Sequence, residues 1–250
     1  MAPQSEVRIA PDPEALSQMA AELLVDQVRR AVYDRGRFNL VLAGGSTPQR
    51  LYRRLALEPG MPTWEVVHLF WGDERPVPPN HPDSNYRAAY ETLISQVVIP
   101  QPNVHRIPAE LGSAEQAAQR YELELRSHFQ LHPPRRPRFD LVLLGMGADG
   151  HTASLFPGSS ALAEQTRLVV APWIEALQTH RITLTAPAIN QAAVVIFLVS
   201  GADKAEALRA VLEEPHEPER WPSQLIQPLS GRLLWMVDRA AAGRLTATSV

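Results

Sequence analysis

The 250-residue chain contains no cysteine, which excludes a disulfide framework, a thiolate zinc site and a thiol nucleophile. Lysine is almost absent too: Lys204 stands alone among basic residues that are otherwise arginine. Long apolar runs are missing, since the most hydrophobic stretch, Ala192 to Val199, is far too short to cross a bilayer. The start, MAPQSEVRIAPDPEA, lacks the basic residues and apolar core of a signal peptide. The expectation is therefore a cytoplasmic chain, mature at or near Met1, with no membrane partner. A net charge of -3 supplies no basic excess for a phosphate backbone, so no nucleic-acid partner is expected. There is also no G-x-S-x-G nucleophile elbow, no H-E-x-x-H, and no Walker lysine after the glycine pair.

What is present is a regular alternation of apolar runs and amphipathic segments. Asp12 and Pro13 form an N-cap and first helical residue, and Leu16, Met19, Leu23, Leu24, Val28 and Val32 recur at helical spacing up to Gly36. Phe38 to Ala43 then reads as a buried strand entering the glycine pair 44–45, with a second helix expected from Pro48. Val66 to Trp71 is the next strand. Tyr86 to Val97 is helical, capped by Asp83 or Ser84. Ser113 and Gln116 make a capping box ahead of Ala117, Tyr121, Leu125 and Phe129. Strands are further expected at 139–144, 168–170, 181–184, 194–199 and 233–237, with a helix over 203–212. The stretches 133–138 and 213–222 are Pro-rich loops, and neither is a long linker. The pattern predicts one α/β domain spanning 1–250, a mostly parallel twisted sheet with helices on both faces.

Four strand-end loops concentrate the residues capable of chemistry. In Ala43-Gly44-Gly45-Ser46-Thr47-Pro48, the glycines allow close backbone approach, and Ser46, Thr47 and a helix N-terminus offer donors to a phosphate. A plain turn with Ser or Thr as N-cap explains the motif equally well. Gly145-Met146-Gly147-Ala148-Asp149-Gly150-His151 matches G-x-G-x-x-G after a strand. A dinucleotide site is rejected there because Pro157-Gly158 cuts off the following helix and the acidic residue expected about 20 positions on is missing. The loop instead presents His151 as a candidate general base, with Asp149 to fix its tautomer. In Trp71-Gly72-Asp73-Glu74-Arg75, adjacent carboxylates on extended backbone point apart, so at most one faces a pocket, and Arg75 binds phosphate or an oxyanion unless the segment is a solvated turn. In Ser200-Gly201-Ala202-Asp203-Lys204, Asp203 and Glu206 fit a capping box. That puts Lys204 in a first helical turn, against the macrodipole by about 0.3–1 kcal/mol, a cost that a bound anion would offset.

Together LAGGSTP (42–48), FWGDERPVPPNHPDSNYR (70–87), FDLVLLGMGADGHTASLFPGS (139–159), RITLT (181–185) and SGADKAEAL (200–208) closely resemble the 6-phosphogluconolactonase family. The resemblance implies a Rossmann-like fold shared with glucosamine-6-phosphate deaminases. It implies hydrolysis of 6-phospho-D-glucono-1,5-lactone to 6-phosphogluconate in the oxidative pentose phosphate pathway, with neither metal nor organic cofactor. The expected partner is the phosphorylated sugar lactone, and the expected state a monomer or weak homodimer. By resemblance His151 is the base, and the phosphate is held by Ser46 and Thr47 with Arg75, Arg181 and Lys204, where either arginine binds it or orders the site. Gly44, Gly45, Asp73 and Gly147 complete the expected substrate-binding set. Two rivals share the fold: an amino-sugar phosphate deaminase or isomerase, and a non-catalytic sugar-phosphate sensor. The deaminases carry a glutamate shortly after the corresponding histidine, whereas here the next carboxylate after His151 is Glu164. The sensors carry an N-terminal DNA-binding segment, whereas this sequence opens on an amphipathic helix.

Overall fold

The computed structural model describes residues 5–246. In chain order its strands are β1 (Ser5–Ala10), β2 (Phe38–Leu42), β3 (Val67–Trp71), β4 (Asp73–Glu74), β5 (Val104–His105) and β6 (Leu141–Leu144). They continue with β7 (Val169–Val170), β8 (Trp173–Ile174), β9 (Thr179–His180), β10 (Ile182–Leu184), β11 (Val194–Val199) and β12 (Arg232–Asp238). The α-helices are α1 (Pro13–Arg35), α2 (Ser46–Ala56), α3 (Asn85–Thr92), α4 (Ala114–His128), α5 (Ala186–Ile189) and α6 (Ala205–Glu213).

Seven strands form one sheet in the order β1-β12-β11-β6-β2-β3-β5, and each neighbouring pair is parallel. Every residue of β2, β6 and β11 is buried. Successive side chains of a strand point to opposite faces, so unbroken burial means that both faces are covered. From β2 the chain steps outward to β3 and β5 in one direction; from β6 it steps to β11 and β12 in the other. The reversal falls between β2 and β6, and ligands of open α/β sheets bind in the crevice at such a point, beyond the strands' carboxyl ends. The two glycine-rich loops leave the sheet there.

A second, antiparallel sheet runs in the order β4-β10-β7. It sets Asp73 opposite Thr183, which gives the RITLT segment its structural task.

Local sequence explains the helix ends. Asp12 accepts the Ala15 N–H at 2.8 Å, and Gly36 closes α1 in the left-handed conformation at φ 71°. Ser113 and Gln116 form the expected capping box of α4. Ser84, not Asp83, caps α3, accepting from the Arg87 N–H at 3.2 Å.

Three expectations are corrected. Helix α2 begins at Ser46 rather than Pro48. Helix α3 stops at Thr92, because Leu93 leaves helical geometry, and only a 3-10 turn over 94–96 follows. The Asp203–Glu206 capping box does not form: a 3-10 turn, Ala202–Lys204, precedes α6, which has no side-chain cap. Asp203 instead pairs with Lys204 Nζ at 2.9 Å.

Candidate functional site

A cavity of about 260 Å³ opens at the switch point, walled by the ends of β2, β6 and β11 and by the segment after β3. It brings together Gly44, Gly45, Ser46 and Thr47 from the first loop, Asp73 and Arg75 from the second, Gly147 and His151 from the third, and Lys204 from the fourth. Two expected residues are absent from its lining. Asp149 reaches the cavity only through His151, and Arg181 does not line it. Arg181 lies close enough to Arg75 that burial and this neighbouring cation lower its pKa, while Asp73, Asp83 and Glu74 pull the other way.

The first loop presents a helix N-terminus whose cap residue, Gly45, makes no side-chain cap bond. Ser46 and Thr47 lie inside the helix, so neither is the N-cap that would have explained the motif without a ligand. The unpaired amides and positive dipole end of α2 therefore adjoin the cavity. The turn is pinned from behind by Tyr52, whose hydroxyl accepts from Ala43 N and donates to Ala43 O, both at 2.8 Å. Gly44 is required by close approach: a Cβ there would overlap the side chain of Asn85.

The second loop separates two adjacent carboxylates. Glu74 turns away from the cavity and accepts from Arg75 N, Asn85 N and Tyr86 N, each at 2.8 Å, and from Ser84 Oγ at 3.0 Å. It is the anchor of α3; burial raises its pKa against the pull of those backbone bonds. Asp73 faces the cavity, accepting from Asn85 Nδ2 at 3.1 Å and from Ser154 Oγ at 2.6 Å. Arg75 donates through Nη1 to Asp83 O at 2.5 Å, while its buried Nε has no acceptor among the described residues. An unmatched buried guanidinium donor on a cavity wall suits an anion.

In the third loop Asp149 Oδ1 lies 2.5 Å from His151 Nδ1 and also accepts the His151 N–H at 3.2 Å. Burial pushes the Asp149 pKa up, but the bonds and charge of His151 outweigh it and hold the carboxyl below its ordinary value. With Nδ1–H directed to a carboxylate, the lone pair of the imidazole is on Nε2. Phe156 stacks on the ring at 4.1 Å. Gly147 lies directly under the pair, where a Cβ would overlap His151 Nδ1 and Asp149 Oδ1. Further along, Ala153 adopts a left-handed φ of 46°, a local strain held in place by the bonds of its neighbours Thr152 to Gly145 O and Ser154 to Asp73.

The fourth loop is held by Asp238 at the end of β12, which accepts from Ser200 Oγ at 2.5 Å and from Gly201 N at 3.2 Å. Sequence reading missed Asn85, Ser154, Ser200 and Asp238. Asn85 sat in the 70–87 segment that carries the family resemblance, beside Asp83 and Ser84, the two residues read as candidate helix caps. Ser154 sat in the histidine loop, but its partner is 81 residues away.

This α/β scaffold is shared with known proteins. The chain belongs to the family described as glucosamine-6-phosphate isomerases/6-phosphogluconolactonase, matching it over residues 11–235. It is 42% identical over 245 residues to 6-phosphogluconolactonase of Synechocystis sp., covering 98% of this chain and 99% of that one. Among solved structures it resembles the crystal structure of devB protein, with TM-score 0.87, 33% identity, and coverage of 97% and 100% of the two chains. The 6-phosphogluconolactonase from Trypanosoma cruzi gives TM-score 0.87 at 28% identity, over 99% of each chain.

Proposed function

We propose that the chain is a 6-phosphogluconolactonase, a carboxylic ester hydrolase that opens 6-phospho-D-glucono-1,5-lactone with water. One observation carries the reading: a single cavity places the free α2 N-terminus and Lys204 together with the Asp149–His151 pair. The first two suit a phosphate, and the pair suits a water molecule attacking a carbonyl.

The chemistry follows from the protonation pattern. His151 Nε2 takes a proton from water as the new carbon–oxygen bond forms at the lactone carbonyl. Donors of the glycine-rich loop, or Arg75, stabilise the oxyanion. Collapse of the tetrahedral intermediate breaks the bond to the ring oxygen, which receives the proton from His151. The carboxylic acid product then loses a proton to give 6-phosphogluconate. General-base catalysis contributes about 10²–10⁴-fold, suited to an intrinsically reactive lactone. Ser46 and Thr47 hold the phosphate with Lys204; Arg75 contacts it, and Arg181, behind Arg75, orders that side. Asp73, already engaged by Ser154 and Asn85, orders the wall rather than moving protons. In this reading the whole chain acts as one domain, in the cytoplasm, as a monomer or weak homodimer, in the oxidative pentose phosphate pathway. No helix among the described residues is long and apolar enough to cross a membrane.

Asp73 also weighs against the amino-sugar phosphate reading. Moving protons between carbons needs a free carboxylate beside the base, and Asp73 is the only carboxylate lining the cavity among the described residues. The deciding experiment follows lactone opening above its spontaneous rate with wild type and His151→Ala. Acceleration by wild type and its loss in the variant are expected; no acceleration by wild type overturns the function, and full activity of the variant overturns the base.

A further inference from the structure

The far edge of the sheet carries a second cluster of chemistry that lactone hydrolysis does not use. His68 on β3, His105 on β5 and His128 at the end of α4 each offer one ring nitrogen, and these nitrogens lie within 4.8 Å of one another. Register explains the meeting: Phe70 pairs with His105 across the β3–β5 ladder, and His68, two residues before Phe70, shares that face. None of the three lines the catalytic cavity.

Outer partners already orient the rings. His105 Nδ1 is 2.7 Å from Glu124 Oε1, so Nδ1 carries the proton and Nε2 the lone pair. That Nε2 lies 3.1 Å from His68 Nδ1. His128 Nε2 is 2.8 Å from Asn39 Oδ1, and Asn39 is itself fixed through Nδ2 to Asp140, which leaves His128 Nδ1 unprotonated. Metal ligation uses the neutral imidazole, the form in which these outer hydrogen bonds leave one ring nitrogen of His105 and one of His128 with a free lone pair.

We propose that His68, His105 and His128 bind one divalent transition-metal ion of the zinc class, with water completing the coordination. Two nitrogens 3.1 Å apart can both sit about 2.0–2.1 Å from one zinc ion, near the edge length of a tetrahedron. The His68–His105 hydrogen bond is replaced by two metal bonds as the His68 proton moves to its other nitrogen, and His128 closes inward from the helix end. An all-imidazole set selects zinc, nickel or copper over magnesium and calcium. Glu124 on His105 is the carboxylate–histidine support such sites use. On its outer side His105 lines a surface cleft together with Glu124 and Arg120. The bound ion would clamp the edge strand β5 to β3 and α4.

The test titrates the chelator-treated full chain with zinc alone by calorimetry and follows its melting temperature. One zinc per chain and a raised melting temperature are expected, with uptake lost in His68→Gln and His105→Gln and retained in His151→Ala. Glu124 is half exposed, so Glu124→Gln keeps the fold; it should weaken binding about 10–100-fold while leaving the metal-free melting temperature unchanged. No uptake by wild type, uptake undiminished in Glu124→Gln and His105→Gln, or uptake lost in His151→Ala would each overturn the assignment.

Discussion

Ser154 donates a 2.6 Å hydrogen bond to Asp73, joining the histidine loop to the segment after β3. Both residues are buried, and Ser154 N also donates to Thr183 Oγ1 at 3.2 Å, so three non-adjacent segments meet at this point. Removing the hydroxyl leaves one oxygen of a buried carboxylate unpaired. Ser154→Ala should therefore lower unfolding free energy by about 1–3 kcal/mol, measured by urea denaturation. It should also reduce kcat, because His151 lies three residues upstream on the released loop. Unchanged kcat in a destabilised variant would separate the bond from catalysis.

Gly147 limits what can lie beneath the acid–base pair. A methyl group there overlaps both Asp149 and His151, and both must move if the backbone holds. A displacement near 1 Å at a reacting group can cost about 10²-fold. Gly147→Ala is expected to lose that much kcat, with KM changing far less because the phosphate elements are separate. Steady-state kinetics on the lactone checks the split.

Asp149→Asn keeps shape but removes the charge that fixes the His151 tautomer. A loss of about 10²–10⁴-fold in kcat is expected, the range of the general-base contribution itself. The same substitution has a defined pH signature in stability. Asp149 has a folded pKa below its ordinary 3.8, so its stabilisation is fully present above pH 3.8 and fades as pH falls through the lowered value. The side chain is half exposed, and solvent screening limits the effect to under about 1 kcal/mol. Denaturation of wild type and variant should differ at pH 7 and converge in strong acid.

The residues that announced themselves in sequence are those whose partners are close along the chain. Gly44 to Thr47 and Gly145 to His151 each follow a fully buried, largely apolar strand, and Asp149 and His151 are two positions apart, so both glycine-rich loops could be read locally. Strand β1 could not: among the described residues its only sheet partner is β12, its central residues are half exposed, and its charged, short pattern resembles a surface segment. The capping box at Asp203 failed because Lys204, adjacent in sequence, offers that carboxylate a closer partner. The three-histidine cluster was invisible for the same reason as Ser154, since β-sheet register and a packed helix bring together positions with no sequence pattern in common.

Lys204 is the only lysine of the chain and lines the cavity opposite no buried carboxylate of its own, its partner Asp203 being two-thirds exposed. A charge held so weakly by the protein is available to a phosphate dianion. A hydrogen bond between charged groups contributes about 1.5–3 kcal/mol, which corresponds to roughly 10–150-fold in affinity. Lys204→Met should therefore raise KM for 6-phosphogluconolactone within that range and leave the much slower hydrolysis of unphosphorylated glucono-1,5-lactone nearly unchanged. Parallel kinetics on the two lactones measures the difference. An equal loss on both would place Lys204 at the carbonyl rather than at the phosphate, and would move the phosphate contact to Arg75 and the α2 N-terminus alone.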